Sequence, residues 1–183
     1  MTRTARLQLR PVASGDAACV FAIYGDPATN TFNPAGPLPD QATADHVLET
    51  WLACWRNHGF GPWAVSTNDE PAHVIGFGGL SHYDYGGVNR INLGYRFAVE
   101  AWGKGYATEV ARAALENAFG ALRLDDVYAL VRPDHAASIR VLEKVGMRRF
   151  GTLDDAPPLA ESLVFVAARA AFHPGSTSLR TAS

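Results

Sequence analysis

Trp102-Gly103-Lys104-Gly105-Tyr106-Ala107-Thr108-Glu109 is where the chain changes its period. Upstream, the runs WAVS (63–66), HVIGFGGLSHY (73–83) and VNRINLGYRF (88–97) are apolar or alternating, and TNDEPA and DYGG separate them. Such runs with turn-forming residues between them predict three sequential antiparallel strands. Downstream, Ala107, Val110, Ala111, Ala114, Leu115 and Ala118 recur at helical spacing until Gly120. The octapeptide is therefore a strand-to-helix corner with two glycines in it. Glycines there bring backbone N–H groups close to an anion, and a helix N-terminus favours negative charge, so a phosphate-bearing cofactor is the physical inference. A purely structural turn is the competing reading. The stretch is neither a GxxxxGK[ST] phosphate loop nor a full GxGxxG dinucleotide fingerprint.

Toward the N-terminus, Leu7 and Leu9 alternate with Arg6, Gln8 and Arg10, as in a strand covered on one face. SGDAACVFAIYGDP (14–27) predicts a short helix, with Ser14 or Asp16 as cap and Gly25 and Pro27 ending it. Residues 29–39 hold three prolines with Asn and Gly and read as a loop, either packing or forming an acceptor-side rim. Residues 40–58 carry Val47, Leu48, Trp51, Leu52 and Trp55 along one helical stripe, for which core packing is the plain explanation. Toward the C-terminus, VYALV reads as a strand and His135 to Lys144 as a helix stopped by Gly146. Met147 to Leu153 and Glu161 to Ala168 supply terminal strands. Residues 173–183 are small and polar and read as a flexible tail, leaving 1–172 as a single domain of mixed α/β (α+β) class.

A chain of 183 residues that is 48% hydrophobic buries roughly 70% of its unfolded surface, so it needs no disulfide or metal to gain a core. Its two cysteines, Cys19 and Cys54, cannot supply a multi-cysteine zinc site, and the six histidines make no metal signature. They read as small core residues in a reducing, cytoplasmic setting. With 16 basic against 18 acidic residues and no basic-aromatic track, nothing suggests a nucleic-acid partner. No apolar run approaches the ~20 residues of a membrane span.

Beyond the loop, the chain resembles the GNAT superfamily of acyl-CoA-dependent N-acyltransferases, particularly the branch containing ribosomal-protein N-terminal acetyltransferases. TARLQLRPV, GFGPWAVS, VIGFGGL, INLGYRFAVEAWGKGYATEVA and SIRVLEKVGMRR carry the resemblance across nearly the whole chain. It implies a central, mostly antiparallel, splayed sheet flanked by helices, with acetyl-CoA as cofactor and CoA as product. Gly103, Lys104, Gly105, Tyr106, Ala107 and Thr108 then form the pyrophosphate turn. Phe97, Ala98 and Val99 match the segment that aligns the pantetheine arm. Ser138 sits where it can approach the cofactor's sulfur end, His135 occupies the position of a local cofactor hydrogen bond, and Arg140 and Lys144 are solvent-side contacts or ordinary helix charges.

Two positions depart from the pattern. His135 stands where the family commonly has Asn, and Leu142 stands where many relatives outside this branch have a catalytic-type Tyr, which leaves Ser138 or water to protonate the departing thiolate. Several relatives place Glu at the position of Asn92, and a carboxamide cannot accept the amine proton as a carboxylate does. A neutral amine attacking directly, or proton loss through water, fills that role. His82 can assist, its residue type being suited to neutral-pH transfer, or it is a rim histidine. With no Cys–His constellation, direct transfer in a ternary complex is expected rather than an acyl-enzyme. The acceptor is a primary amine, a protein N-terminus or a small molecule, and a homodimer is compatible with the exposed strand edges. Binding of an acyl-CoA without efficient chemistry, or transfer of another acyl group, are the alternatives.

Overall fold

The protein is described here as a computed structural model covering residues 1–172; the stretch 173–183, expected to be a tail, lies outside the described residues. The strands are β1 (Thr2–Arg3), β2 (Leu7–Pro11), β3 (Pro62–Thr67), β4 (Val74–Asp84), β5 (Asn89–Phe97), β6 (Asp126–Val131), β7 (Arg148–Leu153) and β8 (Ser162–Ala168). The helices are α1 (Ala17–Tyr24), α2 (Gln41–His58), α3 (Tyr106–Phe119) and α4 (Ala136–Lys144). All strands join one sheet in the order β1-β2-β3-β4-β5-β6-β8-β7. Every pairing is antiparallel except β5 with β6, so the mixed, mostly antiparallel sheet expected from the sequence is present.

Alternation along the strands divides the core between the two faces of the sheet. On one face Leu9, Val65, Leu80, Leu93, Phe97 and Val127 pack with α3 residues Val110, Ala114 and Leu115 and with Leu142 of α4. On the other, Val20, Ile23, Ala44, Leu48 and Phe77 pack α1 and α2 against the sheet. Trp51 lies 5.3 Å from the rings of both Tyr24 and Phe77, and Trp55 donates its indole N–H to the Pro62 carbonyl at 2.8 Å. These tryptophans build the core, as the plain reading of their spacing holds.

Asp40 caps α2 as its side chain accepts from the Thr43 N–H at 2.8 Å. At α1 Asp16 stands at the expected N-cap position, but its carboxylate makes no capping bond and turns back to the Ala13 N–H at 2.7 Å and to a fork from Arg10 at 2.6 and 2.8 Å. Arg10 is a stronger partner than an orphan helix N–H, because its bonds are charge-assisted and bidentate. The two-residue β1 was not legible, since it is too short to show a period.

Candidate active site

The glycine corner ends in left-handed backbone, with φ of 72° at Gly103 and 78° at Gly105. That conformation is strained for residues with a Cβ. Gly105 caps α3 with no side chain to satisfy the helix start. As a result, none of the six N–H groups from Gly103 to Thr108 donates to an acceptor within the described residues. Six consecutive free donors at a helix N-terminus make a candidate anion cradle.

The cradle is fastened from the N-terminal segment. Arg6 donates to the Lys104 carbonyl at 2.7 Å and forks onto Glu109 at 2.8 and 2.6 Å, while Thr4 Oγ1 and the Arg6 N–H also donate to Glu109, at 2.5 and 2.8 Å. Burial alone would raise the Glu109 pKa, but these bonds overcome it and hold the carboxyl below its usual range. On the other side, the half-exposed Trp102 donates its indole N–H to the Phe97 carbonyl at 2.9 Å, tying the loop to the end of β5.

β5 and β6 meet at a single parallel bridge, Asn92 with Tyr128, and are unpaired beyond it. The resulting cleft opens toward the loop. The Ala98 N–H is engaged by the Ile75 carbonyl of β4 at 2.9 Å, so strand alternation turns the Tyr95 and Phe97 N–H groups away from β4, into the cleft. Of the segment Phe97, Ala98 and Val99, Phe97 presents its N–H to the gap. The Ala98 N–H is spent, and the Val99 carbonyl accepts from Trp102 at 3.1 Å. Gly76 and Gly78 of β4 make room: a Cβ would lie 2.4 Å from the Phe97 ring at the first and 2.8 Å from Tyr95 Cβ at the second. The free amides and the cleft leading from them fit a ligand with a pyrophosphate and a narrow arm.

α4 closes one wall of the cleft. Ser138 Oγ and Tyr95 Oη form a hydrogen bond of 2.8 Å, and burial pushes the Tyr95 hydroxyl up to about 12 despite that bond. His135 caps the helix, its Nδ1 accepting from the Ser138 N–H at 3.5 Å, and its ring stacks on Phe32 with centroids 4.2 Å apart. Burial, reinforced by the Arg96 guanidinium, lowers the His135 pKa below its ordinary value. Accepting at Nδ1 requires that atom to be unprotonated, in keeping with a neutral ring. Leu142, one turn after Ser138 on the same stripe, is 2% exposed and belongs to the core. Arg140 and Lys144 are exposed on the outer side of α4.

The remaining candidates do not converge on Ser138. Asn92 points to the α1/α2 face, where Tyr85 Oη donates to its Oδ1 at 2.8 Å. His82 pairs with Ile91 on the opposite face, exposed, with its ring 4.4 Å from that of His58 and 5.5 Å from that of Phe60. The structure thus brings His135 and Ser138 together and separates His82 from Asn92. Tyr95 and Tyr85, which hold Ser138 and Asn92, were missed by sequence reasoning. Alternation in INLGYRF places Tyr95 on the same face as Leu93, the one signal available.

A family model described as acetyltransferase (GNAT) domain matches residues 6–148. The uncharacterized N-acetyltransferase YoaA of Bacillus subtilis is 28% identical over 82% of this chain and 84% of its own length. Among solved structures, an acetyltransferase from Agrobacterium tumefaciens is 29% identical with a TM-score of 0.74, covering 91% of this chain and 92% of that one. RimJ of Mycobacterium smegmatis, solved in complex with CoA-disulfide, is 23% identical with a TM-score of 0.68, over 88% of this chain and 81% of that one. This last likeness concerns the fold.

Proposed function

The chain belongs to the GNAT acetyltransferase family, and from that premise we propose that it transfers an acetyl group from acetyl-CoA to a primary amine by direct attack in a ternary complex. The observation that carries this reading is the run of six free N–H groups from Gly103 to Thr108 at the mouth of the β5/β6 cleft.

Acetyl-CoA, when bound, supplies the activated acetyl thioester. The amides of Gly103, Lys104, Gly105, Tyr106, Ala107 and Thr108 would hold the pyrophosphate, and Arg140 and Lys144 would add positive charge on the solvent side. The Phe97 N–H would align the pantetheine arm, with Ala98 and Val99 shaping the turn that follows. Oriented strand N–H groups stabilise charge developing on a carbonyl oxygen. Ser138 would deliver a proton from its Oγ to the leaving sulfur and take one from Tyr95 Oη, which would regain its own from the solvent that receives the amine proton. His135 fixes the first turn of α4 and thereby Ser138. Asn92, held by Tyr85, positions the amine rather than accepting its proton. His82, exposed beside His58, takes that proton through solvent.

The motif likeness supports an acceptor of the kind acetylated by the ribosomal-protein branch, a protein N-terminus, or else a small amine. We picture a cytoplasmic enzyme whose catalytic domain is residues 1–172, acting without nucleic acid or membrane, as a monomer or homodimer. No helix among the described residues is long and apolar enough to cross a membrane.

Leu142 in the core and an amide at Asn92 favour one second reading, an acyl-CoA-binding protein with little chemistry. Release of CoA from acetyl-CoA, measured with a panel of N-terminal peptides and small primary amines, separates the two. Amine-dependent release is the expected result; bound acetyl-CoA with no release from any acceptor would favour the second reading.

A further inference from the structure

Asn92, Gly94 and Arg96 occupy alternate positions of β5 and so form one row on the α1/α2 face, spaced by roughly 6.8 Å per pair. The row starts where β5 and β6 part. Above Gly94 there is open space: a Cβ there would meet only Asn92 Nδ2, at 3.5 Å. Arg96 ends the row, largely buried between α1 and the loop that follows it. Its guanidinium lies 4.4 Å from the centroid of the Tyr24 ring, and Nη1 donates to Asn30 Oδ1. Asn30 is itself buried, donating to the Tyr24 and Asp26 carbonyls at 2.8 Å.

What is absent is a counter-ion. No Asp or Glu among the described residues lies within ion-pair distance of Arg96, whereas Arg6, Arg10, Arg132 and Arg169 all have one. The titratable groups beside it are the Tyr24 hydroxyl and the His135 imidazole, both of which burial keeps uncharged, and it further opposes protonation of the imidazole. Buried charges are ordinarily paired. Nη1 is used, but Nε and Nη2 meet no protein acceptor, and neither is sealed from solvent: among the described residues only Asn68 Oδ1 is both sealed and unpartnered. The free Nε–Nη2 edge presents two parallel donors, the geometry that receives a carboxylate bidentately.

We propose that Arg96 is a carboxylate subsite of the acceptor pocket, and that the acceptor is a small, amino-acid-like molecule carrying its carboxylate on Arg96 while its amine reaches back over Gly94 toward Asn92. This rests on the acetyl-transfer reading and narrows it. A polyamine has no carboxylate to offer the guanidinium, and the first residue of a peptide has its α-carboxylate tied up as an amide.

The test compares straight-chain ω-amino acids of increasing length with their own carboxamides as acceptors. At the best length, kcat/KM is expected to favour the acid by tenfold or more in the wild type. The ratio should fall toward one in Arg96→Met and be partly kept in Arg96→Lys. The wild-type comparison needs no variant, so it stands even if loosening Asn30 harms folding. In parallel, N-acetylated products and their amides are titrated calorimetrically into protein preloaded with CoA, where a tenfold preference for the acid is expected without any turnover. Turnover with no acid preference, or a preference that persists in Arg96→Met, overturns the subsite and leaves acetyl transfer standing. An acid preference in binding with no turnover of any acceptor upholds the subsite and overturns acetyl transfer.

Discussion

Gly105 stands in left-handed backbone at φ 78°, and a Cβ there would come 3.5 Å from Arg6 Nη2. Gly105→Asp places a carboxylate beside the free amides, so acetyl-CoA affinity should fall at least tenfold, or about 1.4 kcal/mol. Gly105→Asn, uncharged and tolerant of left-handed backbone, should lose less. Calorimetric titration reads both, and equal affinities in folded Gly105→Asp and wild type would remove the loop from the binding site. At the other end of the cleft, Ser138→Ala and Tyr95→Phe each delete one side of the same 2.8 Å bond. Both should lower kcat while leaving acetyl-CoA affinity near wild type, and the double variant should be no slower than the worse single one, because the two hydroxyls act as a unit. Additive losses would contradict the relay. The glycine loop and Ser138 stand out in the sequence because each belongs to a motif. Tyr95 and Arg96 do not, since their roles come from which face of β5 they occupy and what the loop after α1 lays across them.

Among the elements, α4 carries a titration. The folded pKa of His135 lies below the ordinary 6.5, first through burial and then through Arg96. As pH falls, the unfolded chain therefore takes up this proton first. The contribution of His135 to stability is full above about 6.5 and is lost as pH drops through the lower folded value. His135→Asn keeps a capping acceptor but removes the titration. The melting temperature of the wild type should decline between pH 7 and 5 more steeply than that of His135→Asn, and parallel curves would refute this. Asp16 and Glu109, held below the carboxylate range, lose their contributions at lower pH still. The start of α3 rests on Glu109, which accepts from Thr4 and Arg6. Glu109→Ala should cost about 1–3 kcal/mol, most of it from the orphaned donors, since Arg6 is half exposed and an ion pair to it is screened. Denaturant titration measures that loss. Helices and central strands were legible because their periods run long. The Arg10–Asp16 fork was not, as it replaces a local cap by a contact that periodicity does not encode.

Across the whole molecule, the order β4-β5-β6-β8-β7 sets the site: one parallel contact inside an otherwise antiparallel sheet leaves β5 and β6 paired at one position and parted beyond it. Residue patterning predicted the strands and helices, and family likeness predicted their arrangement as a splayed sheet flanked by helices. Neither could show that Asn92 and His82 face opposite sides, because that depends on register. At this scale the proposed chemistry is direct transfer from a cofactor held on the free amides to an amine, without an acyl-enzyme. Single-turnover mass spectrometry of the intact protein and the acceptor together tests it most directly. Direct transfer gives one acetylated acceptor for each CoA released and an unmodified protein mass; acetylated protein formed from acetyl-CoA before any amine is added would rule it out.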